Sequence, residues 1–253
     1  MRALFLALLV WLCFINVVQA EASLVASTGS ARTIPKDRLE LSLFQPWRYG
    51  VTDTLELSAQ PLMFLVPQLE AKVAWWSQER VTIGTRQRIS YPTPLLKTVA
   101  KEGSFGLLPK TSKIPQAIIL DLEALLTLEV APSHLLTAWM GGSVAPRGSA
   151  DNMPLLDFPF LYSRFAVLKT TAVYRLGVDY SGQLGRYFRI AADFKVFVLP
   201  VVAGGYSFEP GASLRWLLAK HVALEGGGRL EFAKFPAGNQ FHYLPYVDVL
   251  LAW

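Results

Sequence analysis

Cysteine is almost absent from this sequence. The chain has 253 residues and a single cysteine, Cys13, which lies within the first twenty residues. Without that segment the chain has no disulfide, no cysteine-based metal site and no thiol nucleophile. Its stability must therefore come from packing and hydrogen bonding, and any chemistry must rest on other side chains.

The first twenty residues have the layout of a secretory signal peptide. Arg2 is followed by an apolar run over residues 3–15, and the segment closes on Val18-Gln19-Ala20, which resembles a signal-peptidase site. The small residue that a lipoprotein signal places before its cysteine is missing at Leu12. We expect residues 1–20 to be removed on export; an uncleaved membrane anchor is the alternative.

Long apolar runs are also missing after residue 20. The composition is 52% hydrophobic with a mean hydropathy of +0.33, yet no later stretch approaches the roughly 18 apolar residues of a membrane helix. The formal net charge is +5, with no basic cluster, so the composition does not indicate a nucleic-acid-binding protein. The apolar residues must be arranged in some other pattern.

That pattern is alternation. Within residues 186–199, apolar Phe188 and Ile190 alternate with charged Arg189 and Asp193, and period two is the signature of a β-strand. The runs reach roughly 10–16 residues, longer than the about 5–6 that are usual in soluble proteins. A strand that crosses a membrane needs about 9–11 residues, so we predict an all-β fold, an antiparallel transmembrane β-barrel. A soluble lipocalin-like carrier remains an alternative.

The runs give the strand count and the domain boundaries. Eleven are present, at 37–45, 53–60, 69–77, 79–91, 117–130, 133–144, 162–181, 185–200, 204–217, 219–234 and 241–253. Bacterial barrels normally have an even number of strands, so we favour about 12 strands, with 10 as the alternative. The N-terminal segment 21–36 would then supply the first strand, and residues 37–253 would form the barrel.

The connections alternate between short and long. Short turns near residues 78, 131–132, 181–184 and 218–219 alternate with longer loops, of which 92–116 and 145–161 are the longest. Outer-membrane barrels have short periplasmic turns and long outer loops, so the chain should end on the periplasmic side. The loop 92–116 has much apolar content and is expected to fold over the mouth of the barrel, with a short helix near 94–101.

Aromatic residues mark the ends of the runs. They are Trp75, Trp76, Tyr91, Trp139, Tyr162, Tyr180, Tyr187, Tyr206, Trp216, Tyr243 and Trp253. Rings of aromatic side chains at both membrane interfaces are typical of transmembrane barrels, and this placement favours the membrane assignment.

The C-terminus resembles a known assembly signal. The last residues, HYLPYVDVLLAW, end on an aromatic side chain with apolar residues at alternate positions before it: Tyr243, Val247, Val249, Leu251 and Trp253. This is similar to the final strand of Gram-negative outer-membrane β-barrels. The resemblance implies an outer-membrane location, recognition by the barrel-assembly machinery, and contact with outer-membrane lipid and lipopolysaccharide.

A second phrase, RYGVTDTLEL at 48–57, resembles a tight turn and strand found in outer-membrane barrels of the phenol meta-degradation-pathway type. This resemblance covers about ten residues. It supports the barrel architecture without specifying a cargo.

Charged side chains should face the lumen, because charges on the lipid face are costly. The candidates are Arg86, Arg88, Glu123, Lys169, Arg175, Asp193, Lys195, Arg215, Glu225, Arg229, Glu231 and Asp248. They would line a water-filled path or a polar ligand site. Alternatively, they would form a salt-bridged plug in an occluded lumen.

The sequence does not indicate catalytic machinery. Ser133 and His134 are neighbours in a predicted strand, so their side chains point to opposite faces. No phosphate loop, HExxH motif or calcium loop is present, and we predict no catalytic residues, no cofactor and no metal site. Asp151 and Asp157 would at most hold a cation weakly in a solvated loop.

These observations predict a porin-like barrel in the cell envelope. A narrow channel or transporter for a small molecule, a hydrophobic one among the candidates, is preferred. A structural or surface-interaction barrel with an occluded lumen is the main alternative, and an outer-membrane hydrolase is a lesser one. The cargo is not identified by the sequence.

The ending gives a first testable prediction. Trp253→Asp, or loss of the last residue, should impair assembly far more than Asp248→Asn, because only the former alters the terminal signal. Heat-modifiable gel mobility of fractionated outer membranes measures assembled barrel directly. Equal amounts of all three variants in the membrane would show that the ending is not an assembly signal.

Overall fold

The described strands form one closed antiparallel barrel. The computed structural model describes residues 28–61, 66–100, 114, 116–146, 160–170, 172–200, 204–236 and 238–253. In these ranges the strands are β1 (Leu39–Ser42), β2 (Trp47–Thr52), β3 (Leu55–Ala59), β4 (Gln68–Gln78), β5 (Val81–Ser90), β6 (Ile119–Ala131), β7 (His134–Val144), β8 (Ala172–Leu184), β9 (Phe188–Val198), β10 (Tyr206–Ala219), β11 (Val222–Phe235) and β12 (Gly238–Ala252). Each strand pairs with the next, and β1 pairs with β12. The predicted twelve-strand fold is confirmed, while the predicted signal peptide lies outside the described residues.

The strands arise from the period-two pattern. In β6, Asp121, Glu123 and Leu125 are buried inside the barrel, whereas Leu120 and Leu122 between them are 40% and 58% exposed on the outer face. An outer face of exposed leucines suits lipid, and the buried face carries the charges. No helix among the described residues is long and apolar enough to cross a membrane.

The twelfth strand is not where the sequence placed it. Residues 28–36 form no strand, and residues 22–27 lie outside the described ranges. The additional strand is β2, because the predicted run 37–45 ends early and the chain turns back. Thr52 Oγ1 accepts hydrogen bonds from the backbone N–H groups of Thr54 and Leu55, so the phrase at 48–57 forms the β2–β3 hairpin.

The predicted strand at 162–181 is also shorter than expected. Residues Tyr162–Phe165 form helix α2 and Val167–Thr170 form helix α3, with α1 at Thr93–Val99. Val167 and Leu168 are adjacent and both fully buried, which a helical turn allows and a strand does not. Lys169 therefore lies on a loop helix and not on the barrel wall, so its predicted strand position is wrong.

The three helices close the barrel at the end with the long loops. They contribute Leu96, Val99, Tyr162, Val167 and Leu168 to an apolar cluster, and the strand ends contribute Ile119, Val173, Phe197, Ala233 and Phe235. Helix α1 confirms the helix predicted near 94–101. Because these side chains are nearly inaccessible, the loops form a packed cap over this mouth.

The N-terminal segment 28–36 occupies the opposite end. The backbone N–H of Ala31 donates to Thr127 Oγ1 at 2.8 Å, and that of Ile34 donates to Glu56 Oε2 at 3.0 Å. Both acceptors are inward-facing side chains near the short-turn ends of their strands. The segment therefore enters the barrel and runs along the inner surface of β2–β8.

Gly50 is required for this contact. A Cβ added to it would lie 2.0 Å from the Pro35 carbonyl oxygen, whereas a Cβ on Gly226 would meet nothing within 4 Å. The segment approaches the β2 backbone so closely that only glycine fits there.

Gly50→Ala should therefore displace residues 28–36 from the wall while the barrel stays closed. We expect limited proteolysis of the folded protein to cut this segment much faster in the variant, with unchanged heat-modifiable mobility. Gly226→Ala is the matched control and should resemble the parent. A Gly50→Ala protein as resistant as the control would mean that the segment does not pack against β2.

Candidate permeation pathway

The interior of β1–β8, here called the packed wall, holds a dense network of ion pairs. Arg48 bonds both Glu40 at 3.0 Å and Glu56 at 2.8 Å, and Lys72 reaches Glu56 at 3.1 Å. The side chains of Arg48, Glu56 and Lys72 are only 2–4% exposed. Charges this deeply buried persist only when each is paired.

The network continues toward the capped end. Glu123 pairs with Arg86 and, at 2.8 Å, with Arg175; Arg175 also contacts Asp121 at 3.2 Å. Arg88 contacts Glu70 at 2.6 Å. The side chains of Arg175, Glu123 and Asp121 are 4–7% exposed, whereas Arg88 is 24% exposed. Most of this part of the wall therefore has little room for solute.

The interior of β9–β12, here called the open wall, is different. Asp193 binds Lys195 at 3.4 Å and Arg229 at 2.9 Å, and Arg215 binds Glu225 at 2.8 Å. Four of these five side chains are more accessible: Asp193 is 20% exposed, Lys195 23%, Arg229 26% and Arg215 16%. Inside a closed barrel, such exposure means that a water-accessible space lies in front of the wall.

Small residues enlarge that space. Ala191, Gly211, Ser213 and Gly227 have the inward-facing strand parity of Asp193 and Arg229, and none has a side chain that reaches far into the lumen. We call the space before the open wall the chamber. The long charged side chains of β9–β12 border the chamber.

The charges of the open wall are of both signs. Lys195 and Arg229 both approach Asp193, and Arg229 also lies 4.0 Å from Glu209. Arg189 lies directly across from Arg215, whose partner is Glu225. The open wall therefore presents a mixed-charge, polar surface to small solutes.

Two predicted lumen carboxylates serve as anchors instead. Asp248 is fully buried and accepts backbone N–H bonds from Leu43, Phe44 and Gln45 in the β1–β2 turn. Glu231 accepts the backbone N–H of Phe160 at 2.8 Å. Neither side chain faces open space, so the expectation that they line a path does not hold for this pair.

The sequence missed a third anchor. Arg164 of α2 makes a two-pronged bond to Glu209, at 2.9 and 2.7 Å, and Ser163 donates to the same carboxylate. Burial alone would lower the pKa of Arg164, but the charge and hydrogen bonds of Glu209 together with the charge of Glu231 raise the pKa overall. The alternation predicts a strand over residues 162–170 and so does not indicate Arg164 as a partner of the wall.

The other predicted lumen residues divide between the two walls. Arg86, Arg88, Glu123 and Arg175 belong to the packed wall, and Asp193, Lys195, Arg215, Glu225 and Arg229 to the open wall. The alternation placed all of them on the polar face, but the division between packed and open depends on cross-strand partners.

The three histidines have partners that do not suggest a catalytic pair. Their hydrogen bonds join His134 to Tyr180, His221 to the Ala252 carbonyl, and His242 to Gln240. Within the described ranges no group of three histidine, cysteine or acidic side chains is placed to hold a metal ion. Asp151 and Asp157 lie outside those ranges.

The outer face carries aromatic side chains in two bands. Trp75, Tyr187, Trp216 and Trp253 are exposed near the short turns, and Tyr174, Tyr206, Phe241 and Tyr243 are exposed toward the opposite end. Two aromatics assigned to these bands from the sequence are instead buried, Trp139 inside β7 and Tyr162 in the cap.

The final strand has the faces expected of it. Tyr243, Val247, Val249 and Trp253 are exposed on the outer surface, and Leu251 is partly exposed. Because Asp248 holds the β1–β2 turn, Asp248→Asn could itself impair assembly and is a poor control for changes at the C-terminal residue. Trp253→Phe, which keeps an aromatic ring at the end, is the better match for Trp253→Asp.

The barrel is similar to solved outer-membrane channels. It superposes on an outer-membrane channel from Pseudomonas putida F1 with a TM-score of 0.50 and 10% identity, over 90% of this chain and 100% of that one. OccAB4 of Acinetobacter baumannii gives 0.42 and 14%, over 82% and 52%. OmpT of Vibrio cholerae with a loop deleted gives 0.41 and 8%, over 95% and 70%.

No protein-family model and no curated protein matches the sequence. At such low identity the similarity to the Pseudomonas channel concerns the fold. The chain has the architecture of a Gram-negative outer-membrane β-barrel.

The packed wall gives a stability prediction. Glu123→Ala would leave Arg86 and Arg175 buried without their shared carboxylate, and should lower the free energy of unfolding by about 3–5 kcal/mol. Glu129→Ala breaks only the more exposed pair with Arg32 and should cost about 0–1 kcal/mol. Urea unfolding from lipid vesicles measures both, and equal losses would contradict a structural role for the network.

Proposed function

We propose that the protein is an outer-membrane channel for small molecules and that the chamber is its permeation pathway. Export through cleavage of residues 1–20, insertion by the barrel-assembly machinery, and contact with outer-membrane lipid and lipopolysaccharide belong to this proposal. The fold and the terminal strand support it. No catalytic step is part of it.

The observation that carries the proposal is the contrast between the two walls. Lys72 on the packed wall is 2% exposed, whereas Lys195 and Arg229 on the open wall are 23% and 26% exposed. A barrel whose interior served only as a structural core would pair and bury charges on all sides, as most of the packed wall does, with Arg88 the exception at 24% exposed. The accessible clusters of the open wall instead provide a hydrated, polar surface along which solutes can move.

The occluded barrel is the second candidate, and one observation favours it. The helices α1–α3 pack an apolar cluster across one mouth, and residues 28–36 lie within the other end. Under this alternative the interior is a plug, and the protein acts through its external loops. Conductance separates the two candidates, because only a channel passes ions through the chamber.

We expect the purified protein to give small, discrete conductance steps in planar bilayers. Deletion of residues 21–34 should increase the step size severalfold, because it removes residues 28–34, which lie within the end of the lumen.

Lys195→Gln tests the open wall, and Lys72→Gln is its counterpart on the packed wall. The first removes an accessible positive charge from the chamber and should shift the reversal potential under a salt gradient toward cation selectivity, whereas the second should change stability more than selectivity. A correctly folded parent and a correctly folded deletion variant that both fail to conduct would overturn the channel and favour the occluded barrel.

A further inference from the structure

Two polar side chains interrupt the apolar outer face of the barrel. Away from the strand ends, the outward residues of the described strands are apolar or aromatic, as β6 and β9 show: Leu122, Ala124, Leu126, Ile190, Ala192, Phe194 and Val196. Strand β5 is different, because Thr85 and Gln87 also face outward. Arg86, which lies between them, faces inward and pairs with Glu123, so the alternation of the strand fixes this orientation.

Thr85 and Gln87 lie at membrane depth. On the same outer face, Ile83 precedes them and Ile89 follows them, and both isoleucines are 46% exposed. Gln87 is six residues past Val81, the first residue of β5. At about 3.3 Å per residue and the usual tilt of barrel strands, that distance is roughly 15 Å above the short turn. The apolar band of a transmembrane barrel is about 25 Å tall, so the Gln87 amide lies within it.

The neighbours of Gln87 leave its amide open to contact. Gln87 lies between Ala71 of β4 and Leu122 of β6, and Thr85 lies beside Ala124 of β6. Alanine side chains end at Cβ, so the longer Gln87 side chain extends beyond Ala71 and Ala124. A second surface can therefore approach the amide without first meeting bulky side chains on both sides.

The amide also has hydrogen-bonding capacity that the barrel does not use. Gln87 Nε2 donates to Thr85 Oγ1 at 2.6 Å, and Trp75 Nε1 donates to the same oxygen at 2.7 Å. Among the described residues, Gln87 Oε1 accepts no hydrogen bond and the second N–H of Nε2 donates none. Lipid tails offer neither donors nor acceptors, so an amide at this depth is costly unless another polar group meets it.

The unused groups are complementary to those of an identical amide. The carbonyl oxygen carries partial negative charge and the N–H carries partial positive charge, so two primary amides can each donate to the other. Copies of one chain in the same membrane have the same orientation, and a two-fold axis that relates them is parallel to the membrane normal. A residue near this axis meets its own counterpart at the same depth.

We propose that the outer face of β4–β6 is a homodimer interface within the membrane, in which Gln87 pairs with Gln87 of a second copy across a two-fold axis. Thr85, held by Trp75, positions the amide. These strands belong to the packed wall, whose ion-paired interior supports the shared face, and the open wall stays on the far side with its own chamber. The interface is independent of the proposed function, since it requires no conduction through either barrel.

Single-molecule photobleaching in lipid bilayers counts the copies in each complex, with one fluorophore attached at Asn239→Cys, an exposed position at the start of β12. We expect two-step bleaching for the parent. Gln87→Met keeps the length of the side chain and removes the amide, and should raise the dissociation constant about tenfold, as expected for the loss of a hydrogen-bonded pair in a membrane. Gln87→Asn keeps an amide and should lose less, and Leu214→Met on the outer face of β10 should match the parent.

Cysteine cross-linking tests which faces meet while Gln87 stays in place. The only cysteine of the sequence is Cys13, within the predicted signal peptide, so Ala71→Cys and Leu214→Cys add single thiols on the outer faces of β4 and β10. A short, membrane-permeant bifunctional thiol reagent should link two copies at 71 and not at 214. Adding Gln87→Met to Ala71→Cys should reduce the yield severalfold. Every variant must retain heat-modifiable mobility, which confirms a closed barrel.

Other results would overturn the interface. They are a parent that bleaches in one step, and a dimer whose dissociation constant Gln87→Met leaves unchanged. Three-step bleaching would contradict a two-fold pair, and stronger linkage at 214 than at 71 would place the contact on another face. Cross-linking at 71 to a different protein, and not to a second copy, would show that another partner covers β4–β6.

Discussion

Burying charge inside a barrel is the constraint on which this structure depends. Inward-facing carboxylates and cations have no bulk water beside them on the packed wall, so each must find a partner of opposite sign. Glu123 between Arg86 and Arg175 shows how closely this is met. Among the described residues, the accessible charges lie mainly in front of β9–β12, where the small residues also lie.

The same constraint governs the segments inside the barrel. The backbone N–H groups of Ala31 and Ile34 donate to Thr127 and Glu56 of the wall. Arg164 of helix α2 binds Glu209. Polar groups that would be costly alone therefore become attachment points. The wall holds the cap and the N-terminal segment in place, and their polar groups neutralise part of the charge of the wall.

Much of the fold was predictable, because long alternating runs report directly on a two-sided wall. β6, β9 and β11 were found within a few residues of their bounds. β1–β3 were harder, since strands of four to six residues contain too few alternations to separate from a single run with a turn. The strand predicted over residues 162–170 was wrong for a different reason. The apolar positions there fit period two by coincidence, whereas the burial of both Val167 and Leu168 indicates a helix.

The candidate pathway was predictable only in part. The alternation correctly set Asp193, Lys195 and Arg229 on the polar face, but it could not tell an accessible charge from a paired and buried one such as Arg175. That difference depends on which strands face each other across the lumen. The N-terminal segment left no periodic trace, because residues 28–36 form no strand and several of their contacts are made by backbone atoms and at Gly50 of the wall.

Asp248 also determines the order in which the barrel can be completed. It belongs to β12, yet it binds the backbone of the β1–β2 turn at Leu43, Phe44 and Gln45. The turn of the β1–β2 hairpin is therefore fixed only once β12 lies beside β1. A barrel in which β12 has not yet docked would have its other strand pairs and lack this link, so the seam between β1 and β12 and the first turn form together.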